Sequence, residues 1–182
     1  MIYNNYMKDK KFCVTFAGAV GSSKTPIAYH LSYTYGIPIF NNDTIRTEVK
    51  EDLLEFDEDE YEKRRTFRAK SILESGKSFI YDASIDRRWA ELKDYLEEYD
   101  YTWFIVSLDL SKELLTRIYK AKGYDALERL DDLLEDHQEF LNDYGDQVDI
   151  HIDDSDFPDR LKISGGAFGD WLENNKFNLN KY

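Results

Sequence analysis

At 182 residues the chain is about one domain's worth of sequence, long enough to bury a core of its own. Its 24 basic residues against 37 acidic ones leave a formal net charge of −13, which repels phosphate backbones and argues against duplex nucleic acid as a partner. Hydrophobic residues at 42% and aromatic residues at 15% can fill a packed interior, so a wholly disordered chain is excluded.

The first residues, MIYNNYMKDKK, lack the apolar run of a signal peptide, and no later run approaches the roughly 20 apolar residues of a membrane span. A cytoplasmic protein with no membrane contact is expected. Cys13 is the sole cysteine, so no intramolecular disulfide can form, which suits a reducing compartment. Phe12 to Ala17 reads as a strand and Gly18 to Thr25 as a tight loop leading into a helix, which Gly36 stops after about Tyr35. Pro26 is tolerated there, because a first-turn proline forfeits an N–H that has no intrahelical partner. Ile37 to Phe40 forms a second strand. Asn41-Asn42-Asp43 then offers N-cap chemistry for a helix carrying Ile45, Val49 and Leu53.

Asp57 to Glu74 is charged but places Tyr61, Phe67, Ala69, Ile72 and Leu73 at helical spacing, and Gly76 ends it. Ser78 to Tyr81 makes a third strand ending at Asp82, and Asp86 is expected to cap a helix with Trp89, Leu92 and Leu96 on its apolar stripe. Tyr101 to Leu108 is the fourth strand, followed by a helix capped by Ser111 and broken by Gly123. Leu127, Leu130, Leu134, His137 and Leu141 give the strongest helical periodicity in the chain. Val148 to Ile152 is the last strand, with a short helix over Ala167 to Leu172 and a polar tail beyond. Strands alternating with helices predict an α/β three-layer sandwich, a parallel sheet of about five strands covered on both faces. One domain over 1–182 is expected, with a core at about 11–153, a lid segment at about 117–128 and a frayed tail at about 173–182.

Residues 18 to 25, Gly18-Ala19-Val20-Gly21-Ser22-Ser23-Lys24-Thr25, fit the phosphate-loop pattern G-x-x-x-x-G-K-[ST], except that Ser23 occupies the second glycine position. Small residues let successive backbone N–H groups wrap a polyphosphate, and the helix start adds unpaired N–H groups and partial positive charge. In that chemistry Lys24 neutralises the β- and γ-phosphates of ATP, and Thr25 gives its hydroxyl to Mg²⁺. Asp82, at the end of an apolar strand, is either a second oxygen ligand to that metal or a turn former. Asp43 is either a carboxylate at the crevice where open α/β sheets bind ligands or an ordinary N-cap. Arg46, one turn on, either meets substrate or pairs with Asp43. Arg117, Lys120 and Lys122 either close over phosphates or simply suit a helix C-terminus. Arg87 and Arg88 either serve the cleft or decorate the surface. Tyr61, Trp89 and Tyr124 either pack or line a pocket for a flat ring.

Taken together, the Gly18–Thr25 loop, Asn42-Asp43-Thr44-Ile45-Arg46, Asp82-Ala83-Ser84 with Arg87 and Arg88, and Arg117 resemble the small P-loop kinases. Closest are the relatives of polynucleotide 5′-kinase, zeta toxin and chloramphenicol phosphotransferase, over roughly Phe12 to Asp153. The resemblance implies a P-loop NTPase-like sheet of order 2-3-1-4-5 and a basic lid. It also implies Asp43 as general base and Arg46 as a contact to acceptor or phosphate. The sequence departs from the family at Ser23 and in the lid, where Lys120 or Lys122 stands in for a second arginine. The function expected is ATP- and Mg²⁺-dependent phosphoryl transfer to a hydroxyl of a small-molecule acceptor by a monomer or homodimer. The competing readings are a nucleotide-binding module with slow or no hydrolysis, and an acidic scaffold that keeps only the fold.

Overall fold

The computed structural model describes residues 10–124 and 127–177. Five parallel strands, β1 (Lys11–Ala17), β2 (Ile39–Asn41), β3 (Phe79–Ser84), β4 (Tyr101–Leu108) and β5 (Ile150–Ile152), form one sheet in the order β2-β3-β1-β4-β5. Among the described residues, seven α-helices connect and follow them: α1 (Lys24–Tyr35), α2 (Asn42–Leu53), α3 (Glu58–Ser75), α4 (Trp89–Glu98), α5 (Lys112–Lys122), α6 (Leu130–Tyr144) and α7 (Arg160–Asn174).

The strands are apolar on both sides because helices cover both faces. On β1, Phe12, Val14 and Phe16 join α1, α5 and α7 in one buried cluster. Cys13 and Ala17 point the other way, into a second cluster with Ile45 and Val49 of α2, Tyr61 and Leu73 of α3, and Trp89 and Leu96 of α4. α6 serves both layers, Leu130 on the first side and Phe140 on the second. All five strands run the same way, so the residues after β1, β2, β3, β4 and β5 gather along one edge of the sheet.

Several elements differ from the sequence-based expectation. β3 continues through Asp82 to Ser84 instead of ending at Asp82, which sets that carboxylate inside the sheet. The second strand is shifted to Ile39–Asn41, and Asn41 caps α2, its side chain accepting the N–H groups of Asp43 and Thr44. Asp86 does not cap α4; Arg88 occupies that position and no side chain bonds the helix end. Phe67, expected on the apolar face of α3, is 73% exposed. The final helix runs over 15 residues rather than the six expected, and it carries Phe168 into edge contact with Phe12, Tyr35 and Phe104. The first apolar cluster therefore extends past residue 153. The expected lid segment includes residues 125 and 126, and the expected frayed tail includes 178–182, all outside the described residues.

Candidate active site

The loop between β1 and α1 is closed tightly enough to dictate its composition. Gly18 has φ +121°, and a Cβ there would lie 3.0 Å from the Leu108 carbonyl oxygen. Gly21 has φ +80°, and a Cβ there would lie 3.0 Å from ring atoms of both Tyr119 and Tyr124. Ser23 also has a left-handed backbone, φ +89°, a conformation that costs a residue with a side chain of order 1–3 kcal/mol. Its hydroxyl is engaged: it accepts Nε of Arg160 at 2.8 Å.

The loop carbonyls are held by surrounding donors. Lys24 Nζ donates to Gly18 O at 2.7 Å and Ala19 O at 2.6 Å, and Ser84 Oγ also donates to Gly18 O at 3.0 Å. The Tyr119 hydroxyl donates to Val20 O, and Lys122 Nζ to Gly21 O at 2.7 Å. The N–H groups of Val20, Gly21 and Ser23 take no partner among the described residues. Together with the first turn of α1 they form a set of donors suited to an anion. Lys24 is only 8% exposed; burial pulls its pKa down to about 8, against the opposing carboxylates of Asp86 and Asp82.

Asp82 lies beside the helix start. Thr25 Oγ1 donates to its Oδ1 at 3.2 Å and Asn41 Nδ2 to its Oδ2 at 2.7 Å. Burial raises the carboxyl above its usual range, with the bonds from Thr25 and Asn41 opposing. A hydroxyl and a carboxylate oxygen are hard donors, and together they fit Mg²⁺, which takes few protein ligands and completes its shell with phosphate and water. Asp43 is exposed on the first turn of α2; its N–H goes to Asn41 Oδ1 at 2.7 Å, its carboxylate takes no hydrogen-bond partner among the described residues, and its charge is felt at both Lys24 and Asp82. Since Asn41 supplies the cap, the capping alternative for Asp43 falls away.

The other candidates separate. Arg46 does not pair with Asp43; its guanidinium lies 4.3 Å from the Phe56 ring and 4.7 Å from the Tyr61 ring. Arg117 and Lys120 are exposed on α5 with no hydrogen bond or ion pair among the described residues, whereas Lys122 reaches the loop. Arg87 pairs with Asp136 and Arg88 with Glu62 at 3.3 Å, so both are committed away from the loop. Tyr61 and Trp89 are core residues, and Tyr124 packs edge-on against Tyr119 beside Gly21. Arg160 escapes pattern reading altogether: it lies outside every motif and meets Ser23 across 137 residues of chain. A cavity of about 280 Å³ opens between α3 and α4, lined by Phe40, Ala69, Leu73, Phe79, Tyr81 and Leu92. No residue of the Gly18–Thr25 loop lines it.

No protein-family model and no curated protein matches the chain. Solved structures do match. A gluconokinase from Sinorhizobium meliloti 1021 aligns over 92% of this chain and 97% of its own, with a TM-score of 0.62 at 17% identity. The fold is that of the P-loop kinases. An APS kinase from Mycobacterium tuberculosis, solved with AMPPNP and APS, aligns over 88% of this chain and 99% of its own, with a TM-score of 0.60 at 17% identity. A tunicamycin resistance protein from Deinococcus radiodurans aligns over 93% and 98%, with a TM-score of 0.61 at 13% identity. The sheet order expected from the sequence, 2-3-1-4-5, is the one observed.

Proposed function

We propose that this P-loop protein is an ATP- and Mg²⁺-dependent phosphotransferase acting on a hydroxyl of a small molecule. The observation that carries the reading is the free carboxylate of Asp43. It stands within electrostatic reach of Lys24 and Asp82, while Asn41 does the capping that would otherwise explain it.

In this mechanism the N–H groups of Val20, Gly21 and Ser23, the first turn of α1 and the Lys24 ammonium bind the β- and γ-phosphates of ATP. Thr25 and Asp82 would hold Mg²⁺, which would supply further neutralisation of phosphate charge. Asp43 accepts the proton of the acceptor hydroxyl as that oxygen bonds to the γ-phosphorus and the bond to the β-bridging oxygen breaks, releasing ADP. Phosphoryl transfer needs mainly alignment and charge neutralisation, so Lys122 and Arg160 take the part expected of lid arginines, and Arg117 is given none. Arg46, stiffened between two rings, is the cation on the acceptor side. The negative overall charge favours a small acceptor over a polynucleotide.

The test is transfer of label from γ-labelled ATP into a fractionated metabolite pool. One or a few labelled products that depend on the protein support the reading. Tight ATP binding with no labelled product from any fraction contradicts it and leaves a nucleotide-binding module.

A further inference from the structure

Behind the phosphate loop, four ionisable side chains form one hydrogen-bonded string. Asp86, in the β3–α4 connection, accepts the Gly18 N–H with both oxygens, at 2.9 and 3.2 Å. His137 of α6 sets Nδ1 3.3 Å from Asp86 Oδ1 and Nε2 2.9 Å from Asp109 Oδ1. Asp109, just after β4, also takes the Ser107 hydroxyl and lies 2.6 Å from Nδ1 of His151 on β5. His137 is 5% exposed and its ring stacks on Phe140.

An ionised carboxylate only accepts hydrogen bonds, so an imidazole that serves two of them must carry a proton on each nitrogen. Burial alone would pull the pKa of His137 down, but the bonds to Asp109 and Asp86 outweigh it and lift it to about 9. Burial would raise the pKa of Asp109, but its bonds with His137, Ser107 and His151 hold it at about 2. No other cation is paired with Asp86 among the described residues: the neighbouring Arg87 is bound to Asp136 of the same α6. Lys24 lies on the far side, within the loop, and feels Asp86 more strongly than any other charge. A polyphosphate on the loop would therefore meet the charge of the carboxylate that holds the loop's first N–H, unless something cancels it.

We propose that protonated His137 is a positioning residue for the phosphate loop. It cancels the Asp86 charge while keeping that carboxylate against the Gly18 N–H, so the loop's first residue is held in place and the loop still accepts a polyanion. The inference rests on the phosphate-binding reading above and adds a residue that touches neither phosphate nor metal.

The test is calorimetric titration with ATP–Mg²⁺ at pH 7 of the parent, His137→Gln, Asp86→Asn and the double variant, each with a melting curve. His137→Gln should weaken binding about tenfold, because it leaves a buried charge uncompensated. Adding Asp86→Asn should restore affinity to within about threefold of the parent, since an amide carbonyl still accepts the Gly18 N–H without the charge. Parental affinity in His137→Gln, or losses that add up in the double variant, would overturn the proposal. Should His137→Gln fail to fold, NMR titration of the His137 ring in the parent decides. Its midpoint should rise by about half a unit or more when ADP binds, as linkage requires, and an unmoved midpoint overturns the idea. A parent that binds no ATP removes the phosphate-binding reading as well; a parent that binds, with variants that bind equally, removes this inference alone.

Discussion

At Gly18 the phosphate loop hangs from a carboxylate, Asp86, whereas at Ser23 it is held by a guanidinium, Arg160. The first anchor is anionic, lies behind the loop and is itself balanced by a buried imidazolium. The second is cationic, and its charge is felt at Lys122, which also bonds the loop. The contrast separates two tasks. Behind the loop, charge serves to hold backbone and must be cancelled locally; beside Ser23 it adds to the positive potential that a polyphosphate meets, and burial lowers the pKa of Arg160 without stripping its charge.

Removing the cation between the two anchors should have the largest effect. Lys24→Ala forfeits charge-assisted bonds to phosphate of roughly 1.5–3 kcal/mol each, so ATP–Mg²⁺ affinity should fall about a hundredfold or more in calorimetry. Unchanged affinity would detach the whole loop from nucleotide binding.

The anionic anchor has a signature in stability against pH. The folded pKa of His137, about 9, lies above its ordinary value of 6.5, so its contribution is complete below pH 6.5 and is lost as pH rises through about 9. Asp109 is held at about 2, below its ordinary 3.8, so its contribution is present above pH 3.8 and is lost as pH falls through about 2. Between pH 6.5 and 9.5 the His137 contribution should fall by about 1–3 kcal/mol, against the opposite trend of Lys24, whose pKa of about 8 lies below its ordinary 10.5. His137→Gln should lack that decline in chemical denaturation at matched pH. A parental slope in the variant would contradict the cluster's role.

The cationic anchor predicts a near-cancellation. Ser23→Gly relieves left-handed strain of about 1 kcal/mol or somewhat more but forfeits a hydrogen bond worth about 1 kcal/mol, so the melting temperature should hardly move. In an Arg160→Ala background the bond is already gone, and the same substitution should stabilise by about 1 kcal/mol. Equal effects in the two backgrounds would show that Arg160 and Ser23 are not coupled.

The two anchors also mark where sequence reading stops. The loop and the alternation of short apolar strands with helices are legible because each is a local pattern of a dozen residues or fewer. The position of Asp43 at the end of the second strand follows from the same logic. Asp86, by contrast, looks like a cap from its neighbours, and only tertiary structure brings it to Gly18, 68 residues away. His137 falls on an apolar stripe at helical spacing, where pattern alone makes it one more core residue. Arg160 is hidden because α7 reads poorly: Gly165, Gly166 and Gly169 depress its helix propensity. Gly165 and Gly169 nonetheless give α1 room, since a Cβ would lie 3.0 Å from His30 Nε2 at the first and 2.8 Å from the Tyr35 hydroxyl at the second. Arg117 lies exposed on α5 with no hydrogen bond or ion pair among the described residues, while Lys122, at the end of the same helix, bonds the loop.

Asp43 carries the proposed transfer most directly, since a carboxylate that neither caps nor pairs among the described residues is what would distinguish a transferase from a mere nucleotide binder. The measurement is single-turnover phosphoryl transfer by Asp43→Asn, with the acceptor found by label transfer, beside its ATP affinity and melting curve. The fold and ATP binding should persist while transfer falls by about 10²–10⁴, the usual worth of acid–base catalysis. A folded, ATP-binding Asp43→Asn protein that transfers phosphate at close to the parental rate would contradict the account.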